Sequence, residues 1–290
     1  MVDDVNWRVV DETLADYLLA HPTIRDRWLL EQTIYTGASR RALYGQLPLF
    51  ANATVLDVGS GFGALAIDLA CLPLGLQIRG IDFDDEKNVV ARELAGAVGN
   101  KGGYRADGIP QFDQGDVYGM PYRSESFDVV IARFVLQHLT DATRAINEMR
   151  RVLRPGGYVI LIDIDENMTV TYPESSAFVD LHSAFIRLQQ AQGGDRAVGR
   201  KLSTFLQRAD FAQVAASAQV LSQHAFVQPN DPAHLFAVRR FLSVREDLVR
   251  EGIMSERDFD ICLAAYADEE STWEFHSSAQ VVALGRKPSR

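Results

Sequence analysis

The sequence predicts an α/β fold built on a doubly wound, mainly parallel sheet. Two observations carry this prediction. Short β-rich runs alternate with amphipathic helical runs between residues 51 and 167. The run Tyr158 to Ile164 is apolar at nearly every position, which is typical of a strand covered on both faces of its sheet. The 290 residues are enough for one such domain with helical additions.

The first 50 residues precede this alternation and have a helical pattern. Val10, Leu14 and Leu18 recur at helical spacing, and Leu29 and Thr33 do the same further along. We therefore expect residues 1–50 to form an N-terminal helical cap.

Residues 51–167 are expected to form the core, with five strands separated by helices. The predicted strands are Thr54–Val58, Gln77–Ile81, Gln111–Gly115, Phe127–Ala132 and Tyr158–Ile164. The predicted helices are Ala64–Leu72, Asp85–Val98 and Ala142–Leu153, the last stopped by Pro155-Gly156-Gly157.

The pattern becomes less regular after the fifth strand. Residues 168–210 are predicted to form a helical lid, and residues 211–290 the C-terminal part of the core. This last part contains predicted strands at Gln213–Gln223 and Phe275–Arg286, separated by a helical insert at about 231–270. Two late strands separated in this way predict an antiparallel pair that closes the edge of the sheet.

Composition and charge narrow the choice of partners. The formal net charge of −10 disfavours broad binding to nucleic acid, so we expect a small-molecule partner. No apolar run approaches the roughly 20 residues of a membrane span. The start, Met1 to Asp4, lacks the features of a signal peptide, so a cytoplasmic location follows by default. Cys71 and Cys262 have no Cys or His at ligand spacing, and no metal site is predicted.

The strongest local signal is a glycine loop, which runs from Asp57 to Gly63 as Asp-Val-Gly-Ser-Gly-Phe-Gly. Alternate glycines let the backbone turn tightly and let a ligand approach it closely. The loop joins a predicted strand to a predicted helix, where open α/β sheets bind ligands. Because Gly59, Gly61 and Ala64 also satisfy the G-x-G-x-x-A dinucleotide pattern, the loop alone leaves an NAD site open.

Three acids lie at or just after the ends of successive predicted strands and help to choose between ligands. Asp57 suits a cationic amine, and it would suit a pyrophosphate poorly. Asp82 is placed to accept hydrogen bonds from two ribose hydroxyls, a feature that NAD sites share. Asp116 could accept a hydrogen bond from an adenine amino group.

Five segments, taken in order, resemble the motifs of the class I S-adenosylmethionine (SAM)-dependent methyltransferases. They are Val55–Leu69, Gly80–Phe83, Gly115–Val117 with Met120–Tyr122, Phe127–Arg133 with Leu136–Leu139, and Leu153–Gly157. The five motifs are most similar to those of the small-molecule branch, which includes ubiquinone/menaquinone methyltransferases. The resemblance implies a seven-stranded Rossmann-like sheet with its last strand inserted antiparallel.

The resemblance also implies roles for individual residues around SAM. Asp57 and the loop residues Gly59, Ser60, Gly61 and Gly63 would hold the methionine part, and Arg133 would border it. Asp82 would bind the ribose, Asp116 and Val117 would read the adenine edge, and Phe83 would pack on adenine or serve as core. Tyr35, in the helical cap, could close over the cofactor.

The sequence specifies less clearly which residues would contact the methyl acceptor. His138 is a candidate general base, or it only holds its loop. Candidate substrate contacts are His182, Tyr172, Phe178 and Asp165, although such residues also pack a lid on a core. The expected reaction is in-line methyl transfer to a small, partly apolar metabolite or natural product, with S-adenosylhomocysteine (SAH) as product. The alternatives are a SAM-binding protein without methyl transfer and an NAD-dependent oxidoreductase. The helical extensions could also form a homo-oligomer interface.

Overall fold

Eight strands form one mixed sheet within the residues that the structure describes. The structure, a computed structural model, describes residues 5–104, 108–228, 231–268 and 272–289, so the expectation drawn from residues 1–4 lies outside it. The strands are β1 (Thr54–Val58), β2 (Gln77–Asp82), β3 (Gln111–Gln114), β4 (Phe127–Arg133), β5 (Leu153–Ile164), β6 (Val170–Tyr172), β7 (Ala212–Val227) and β8 (Thr272–Arg286).

The strand order confirms the predicted doubly wound fold. The order is β3-β2-β1-β4-β5-β8, and the strands from β3 to β5 are parallel. As expected, β8 lies antiparallel between β5 and β7. Seven strands were expected, and the eighth is the short β6. Because β7 occupies one edge of β8, β6 must share the other edge with β5, and it continues the row that β5 begins.

Helices cover the sheet and extend beyond it. They are α1 (Arg8–Ala20), α2 (Arg27–Tyr35), α3 (Gly37–Arg41), α4 (Ala64–Ala70), α5 (Asp85–Asn100), α6 (Ala142–Val152), α7 (Ser176–Ala191), α8 (Leu202–Arg208), α9 (Pro232–Ser243), α10 (Arg245–Arg250) and α11 (Glu256–Ala267). No helix within the described ranges is long and apolar enough to cross a membrane.

Alternation along the buried strands divides the core between the two faces of the sheet. Val55 of β1 packs in one cluster with Val10 and Leu14 of α1. Its neighbour Leu56 points to the opposite face and packs in a second cluster with Ile146 of α6 and Leu202 of α8. Because successive side chains of a strand point to opposite faces, a continuous apolar strand needs both layers.

The N-terminal helices are fixed to the core by a buried ion cluster. Asp68 of α4 is fully buried and accepts a hydrogen bond from Arg40 Nε at 2.8 Å. Arg41 NH2 lies 3.2 Å from Asp68 Oδ1, and the Tyr44 hydroxyl donates to Asp68 Oδ2, the oxygen that Arg40 Nε contacts, at 3.0 Å. Arg40 also donates to the Thr33 carbonyl of α2, so the cluster links α2 and α3 to α4, the helix that follows the glycine loop.

Four helices form a separate layer with its own apolar core. Leu181, Phe185 and Leu188 of α7 pack with Phe241 of α9 and with Phe259 of α11. We call α7, α9, α10 and α11 the lid layer. It unites parts of the predicted lid, 168–210, and of the predicted insert at about 231–270. Helix α8, inside the predicted lid, instead packs against the sheet through the second cluster.

The helical run predicted from Asp231 to Ala267 is divided into three helices. Helix α9 ends at Ser243, and Gly252, with φ +64°, follows α10. Ser255 then caps α11 by accepting a hydrogen bond from the Asp258 N–H. The breaks let the run fold back against α7.

Candidate active site

A cavity of about 960 Å³ opens where the parallel strands end. It is lined by the segments that follow β1, β2, β3, β4 and β5, together with α2, α7 and α9. The glycine loop after β1 enters it where the strand order reverses, because β1 lies between β2 and β4. This is the position at which open α/β sheets bind ligands.

The glycine loop is held against the end of β2. The N–H groups of Gly59 and Ser60 both donate to the Ile81 carbonyl, at 2.8 and 3.0 Å. Gly59 has φ +66°, and a Cβ there would lie 2.5 Å from Val135 Cγ2. Any other residue would therefore be strained and would push Val135 out of place.

Asp57 presents a buried carboxyl group to the cavity, only 2% exposed. One oxygen accepts a hydrogen bond from the Ala66 N–H at 3.2 Å. Burial raises the pKa of Asp57 to about 7, against the opposing effects of the Ala66 N–H and the Arg133 charge. A cation bound beside this group would favour its ionised form.

Arg133 lies at the end of β4 and lines the same cavity. Burial, and then repulsion from Arg40, lower its pKa to about 10. Its Nε is buried and has no hydrogen-bond partner in the described part of the chain. Arg133 and Asp57 thus offer the cavity a cation and a carboxyl group, a combination that suits a zwitterionic amino-acid group.

The other acids and Phe83 lie along the next two strand ends. Asp82 accepts hydrogen bonds from the N–H groups of Gly61 (2.8 Å) and Asp84 (3.0 Å), and its carboxylate retains further lone pairs. Phe83 is 75% exposed, so it lines the cavity and is not a core residue. Asp116 is exposed and accepts from the Tyr118 N–H at 2.9 Å, and Val117 lines the wall beside it.

His138 lines the cavity from the segment after β4. It is exposed to the cavity, yet enclosure by the protein lowers its pKa to about 4, with the charges of Arg196, Lys87 and Arg240 adding to the effect. The imidazole is therefore neutral at pH 7. A base with so low a pKa takes up protons weakly.

The predicted substrate contacts His182, Phe178 and Asp165 all line the cavity. The His182 ring stacks on Phe178, and its Nε2 lies 3.1 Å from Glu166 Oε2. Asp165 is held at both oxygens by Arg200, at 2.5 and 2.7 Å.

Three predicted site residues, all within the described ranges, lie outside the cavity lining. Gly63 precedes α4, and a Cβ there would lie 2.6 Å from Phe112 Cζ, so its role is close packing of helix on sheet. The Tyr35 ring stacks on Phe236 of α9 instead of entering the cavity. Tyr172, on β6, is 75% exposed.

A charged cluster beside the lid layer was not predicted from the sequence. Glu166, Arg196 and Arg240 line the cavity together, and Arg196 donates to Glu166. One signal was available, because Arg240 stands four residues from Phe236 and from Val244 and so interrupts the apolar stripe of α9. Glu166 and Arg196 carry no local pattern that marks them.

Comparison with known proteins identifies the segment around the cavity. A family model described as a methyltransferase domain matches residues 56–161. We call these residues the methyltransferase domain, after the family model that they match. The match runs from Leu56 in β1 to Leu161 in β5, includes the whole glycine loop, and confirms the resemblance to class I SAM-dependent methyltransferases.

Individual relatives match about half of this chain or less. Demethylmenaquinone methyltransferase of Deinococcus radiodurans is 33% identical over 138 residues, which are 47% of this chain and 54% of that protein. 27-O-demethylrifamycin SV methyltransferase of Amycolatopsis mediterranei is 36% identical over 123 residues, 42% of each chain. This chain thus spans about half the length of the curated relatives it matches.

Structural similarity to known proteins covers more of this chain than the sequence similarity does. The crystal structure of the [4+2]-cyclase SpnF aligns with a TM-score of 0.52 and 18% identity, over 87% of this chain and 82% of that one. At this identity the likeness describes the fold alone.

Proposed function

We propose that this protein transfers the methyl group of SAM to a small organic acceptor. The proposal is carried by one observation: the methyltransferase domain places Asp57, Asp82, Asp116 and Arg133 around a single cavity. Asp57 and Arg133 would hold the amino-acid end of SAM, Asp82 the ribose, and Phe83 with Asp116 the adenine. The orphaned Nε of Arg133 and the raised pKa of Asp57 fit the carboxylate and ammonium groups of that end.

The protein's part in catalysis is alignment. SAM, when bound, would supply an electrophilic methyl group on its sulfonium sulfur: the acceptor's nucleophilic atom would bond to the methyl carbon in line with the C–S bond, which would break with its electron pair kept on the sulfur of SAH. Orientation of two bound reactants can lower the barrier by roughly 7–11 kcal/mol in favourable cases. The lid layer closes one side of the cavity, and His138 stands at its wall as a neutral acceptor for a proton.

Two facts support a small acceptor. The cavity volume of about 960 Å³ lies near the upper end of the roughly 300–1,000 Å³ range of small-molecule sites, and it must hold both cofactor and acceptor. The two relatives described above bear the names of a menaquinone precursor and of a rifamycin, which are also small molecules.

The dinucleotide alternative fits the cavity less well. A pyrophosphate needs N–H donors and positive charge, whereas the glycine loop places the Asp57 carboxyl group beside the ligand.

Calorimetric titration with SAM, SAH and NADH tests the proposal. We expect micromolar binding of SAM and SAH, and none of NADH. Asp82→Ala should weaken SAM binding by at least about tenfold because hydrogen bonds to a charged group are lost. The matched control is Asp85→Ala, an exposed acid on α5 outside the cavity, which should bind like the parent protein.

The outcomes separate the candidate functions. Absence of SAM and SAH binding by folded, ligand-free protein refutes the cofactor assignment. Binding of SAM with conversion of acceptors but without SAH release would instead indicate a protein that uses the cofactor without methyl transfer.

A further inference from the structure

The lid side of the cavity contains more positive than negative charge. Arg196, in the segment after α7, donates to Glu166, and Arg240 of α9 lies 3.6 Å from the same carboxylate oxygen. Burial opposes ionisation of Glu166, but the hydrogen bond from His182 and the charges of Arg196 and Arg240 hold its pKa below the usual range. Two guanidinium groups therefore share one carboxylate.

Other charges of the cavity do not balance this excess. Asp165 is occupied at both oxygens by Arg200. Lys87, a further cation of the lining, is paired with Asp26 at 2.9 Å. Counted by themselves, the ionised side chains of Glu166, Arg196 and Arg240 carry a formal net charge of +1, and Asp163, whose pKa burial raises to about 7, offsets part of the charge of Arg196.

The two guanidinium groups are held in place by their neighbours, and Arg196 retains an unused donor. Arg196 is only 7% exposed, and its Nε has no hydrogen-bond partner in the described ranges. Its NH1 donates to Gln137. Both guanidinium carbons lie over the Phe185 ring, at 5.0 Å for Arg196 and 4.2 Å for Arg240. A buried cation without a counter-ion is destabilising unless another charge completes the site.

We propose that the acceptor carries a carboxylate, which binds at Arg196 and Arg240, on an aromatic or unsaturated body that packs against Phe178 and Phe185. This inference rests on the function proposed above and adds the chemical class of the acceptor. A carboxylate carries the single negative charge that the group lacks, whereas a phosphate dianion would exceed it. The planar carboxylate also matches the donor geometry of a guanidinium group.

Pairs of isosteric acids and amides test the inference. Benzoate and benzamide, cinnamate and cinnamamide, and 1-naphthoate and 1-naphthamide would be titrated into SAH-saturated protein, with inorganic phosphate as a further probe. At least one acid should bind about tenfold more tightly than its amide, as expected for a charge-assisted pair. Phosphate should not compete with that acid.

Two adjacent arginines of α9 provide the matched variants. Arg240→Met keeps an unbranched apolar stem and removes the charged guanidinium group, and it should reduce the preference for the acid to below about threefold. Arg239→Met is the control, because Arg239 pairs with Glu31 and does not line the cavity. Arg240→Lys should restore part of the preference.

The titration separates this inference from the cofactor proposal. Equal binding of acids and amides, no binding of any acid, or an acid preference unchanged in Arg240→Met overturns the inference if SAH still binds. If phosphate competes with the acid, the carboxylate inference is overturned, and the result would indicate a phosphorylated acceptor instead. Failure of SAH to bind in the parent protein refutes the cofactor proposal and is measured independently.

Discussion

The raised pKa of Asp57 predicts that SAM binding weakens as the pH falls below 7. The pKa of the Asp57 carboxyl group is about 7. A bound ammonium group favours the ionised carboxylate, so binding releases a proton wherever Asp57 is protonated beforehand. The ionised fraction falls from about one half at pH 7 to roughly one eleventh at pH 6, so the Kd should rise about fivefold over this interval. The SAM amino group, with an ordinary pKa near 8, stays mostly protonated throughout.

Calorimetry at pH 6 and pH 7, in buffers with different ionisation enthalpies, measures both the Kd and the number of protons released. About half a proton should be released at pH 7. The Asp57→Asn variant should bind SAM more weakly, and its Kd should lack the change between pH 6 and pH 7 that titration of Asp57 causes. This control retains Asp163, so it separates the titration of Asp57 from that of Asp163. Burial also raises the pKa of Asp163 to about 7, but Asp163 lies outside the cavity lining. An equal Kd at pH 6 and pH 7 in the parent protein, with no proton released, would refute the reasoning.

Two further predictions concern stability and proton transfer. Asp68→Ala leaves the buried Arg40 without its carboxylate and should reduce the free energy of unfolding in urea by about 3–5 kcal/mol. Asp16→Ala, which breaks only an exposed pair with Lys101, should change it by less than about 1 kcal/mol, and equal effects would contradict the structural role of Asp68. His138→Ala should lower kcat for methyl transfer by less than about tenfold, because a histidine with a pKa of about 4 is a weak base at pH 7; a loss of two orders of magnitude would show that it is essential.

Local signals were sufficient to predict the sheet and the cofactor side of the cavity. Strands β1, β4 and β5 are mostly apolar, and Asp57, Asp82 and Asp116 lie at or just after the ends of β1, β2 and β3. Because parallel strands end at one edge of the sheet, residues at their ends converge whatever the rest of the chain does. The sequence could therefore place these acids together without knowledge of long-range contacts.

The lid side could not be predicted in the same way. Glu166 follows β5, Arg196 follows α7 and Arg240 lies on α9, so the three meet only in the fold, and no periodicity relates residues so far apart in the chain. Tyr35 shows the same limit. Its place in the predicted helical cap suggested a cover for the cofactor, but Trp28 and Gln32 of α2 and the following Thr36 line the cavity, whereas Tyr35 does not.

The charges of the lid side also bear on how the proposed reaction handles a proton. Arg196, Lys87 and Arg240 each lower the pKa of His138, in addition to its enclosure by the protein. A carboxylate bound at Arg196 and Arg240 would neutralise part of this positive charge, and the pKa of His138 would then rise toward its ordinary value. Enclosure by the protein, the largest cause of the low pKa, would remain, and His138 would still be a weak base with the acceptor bound.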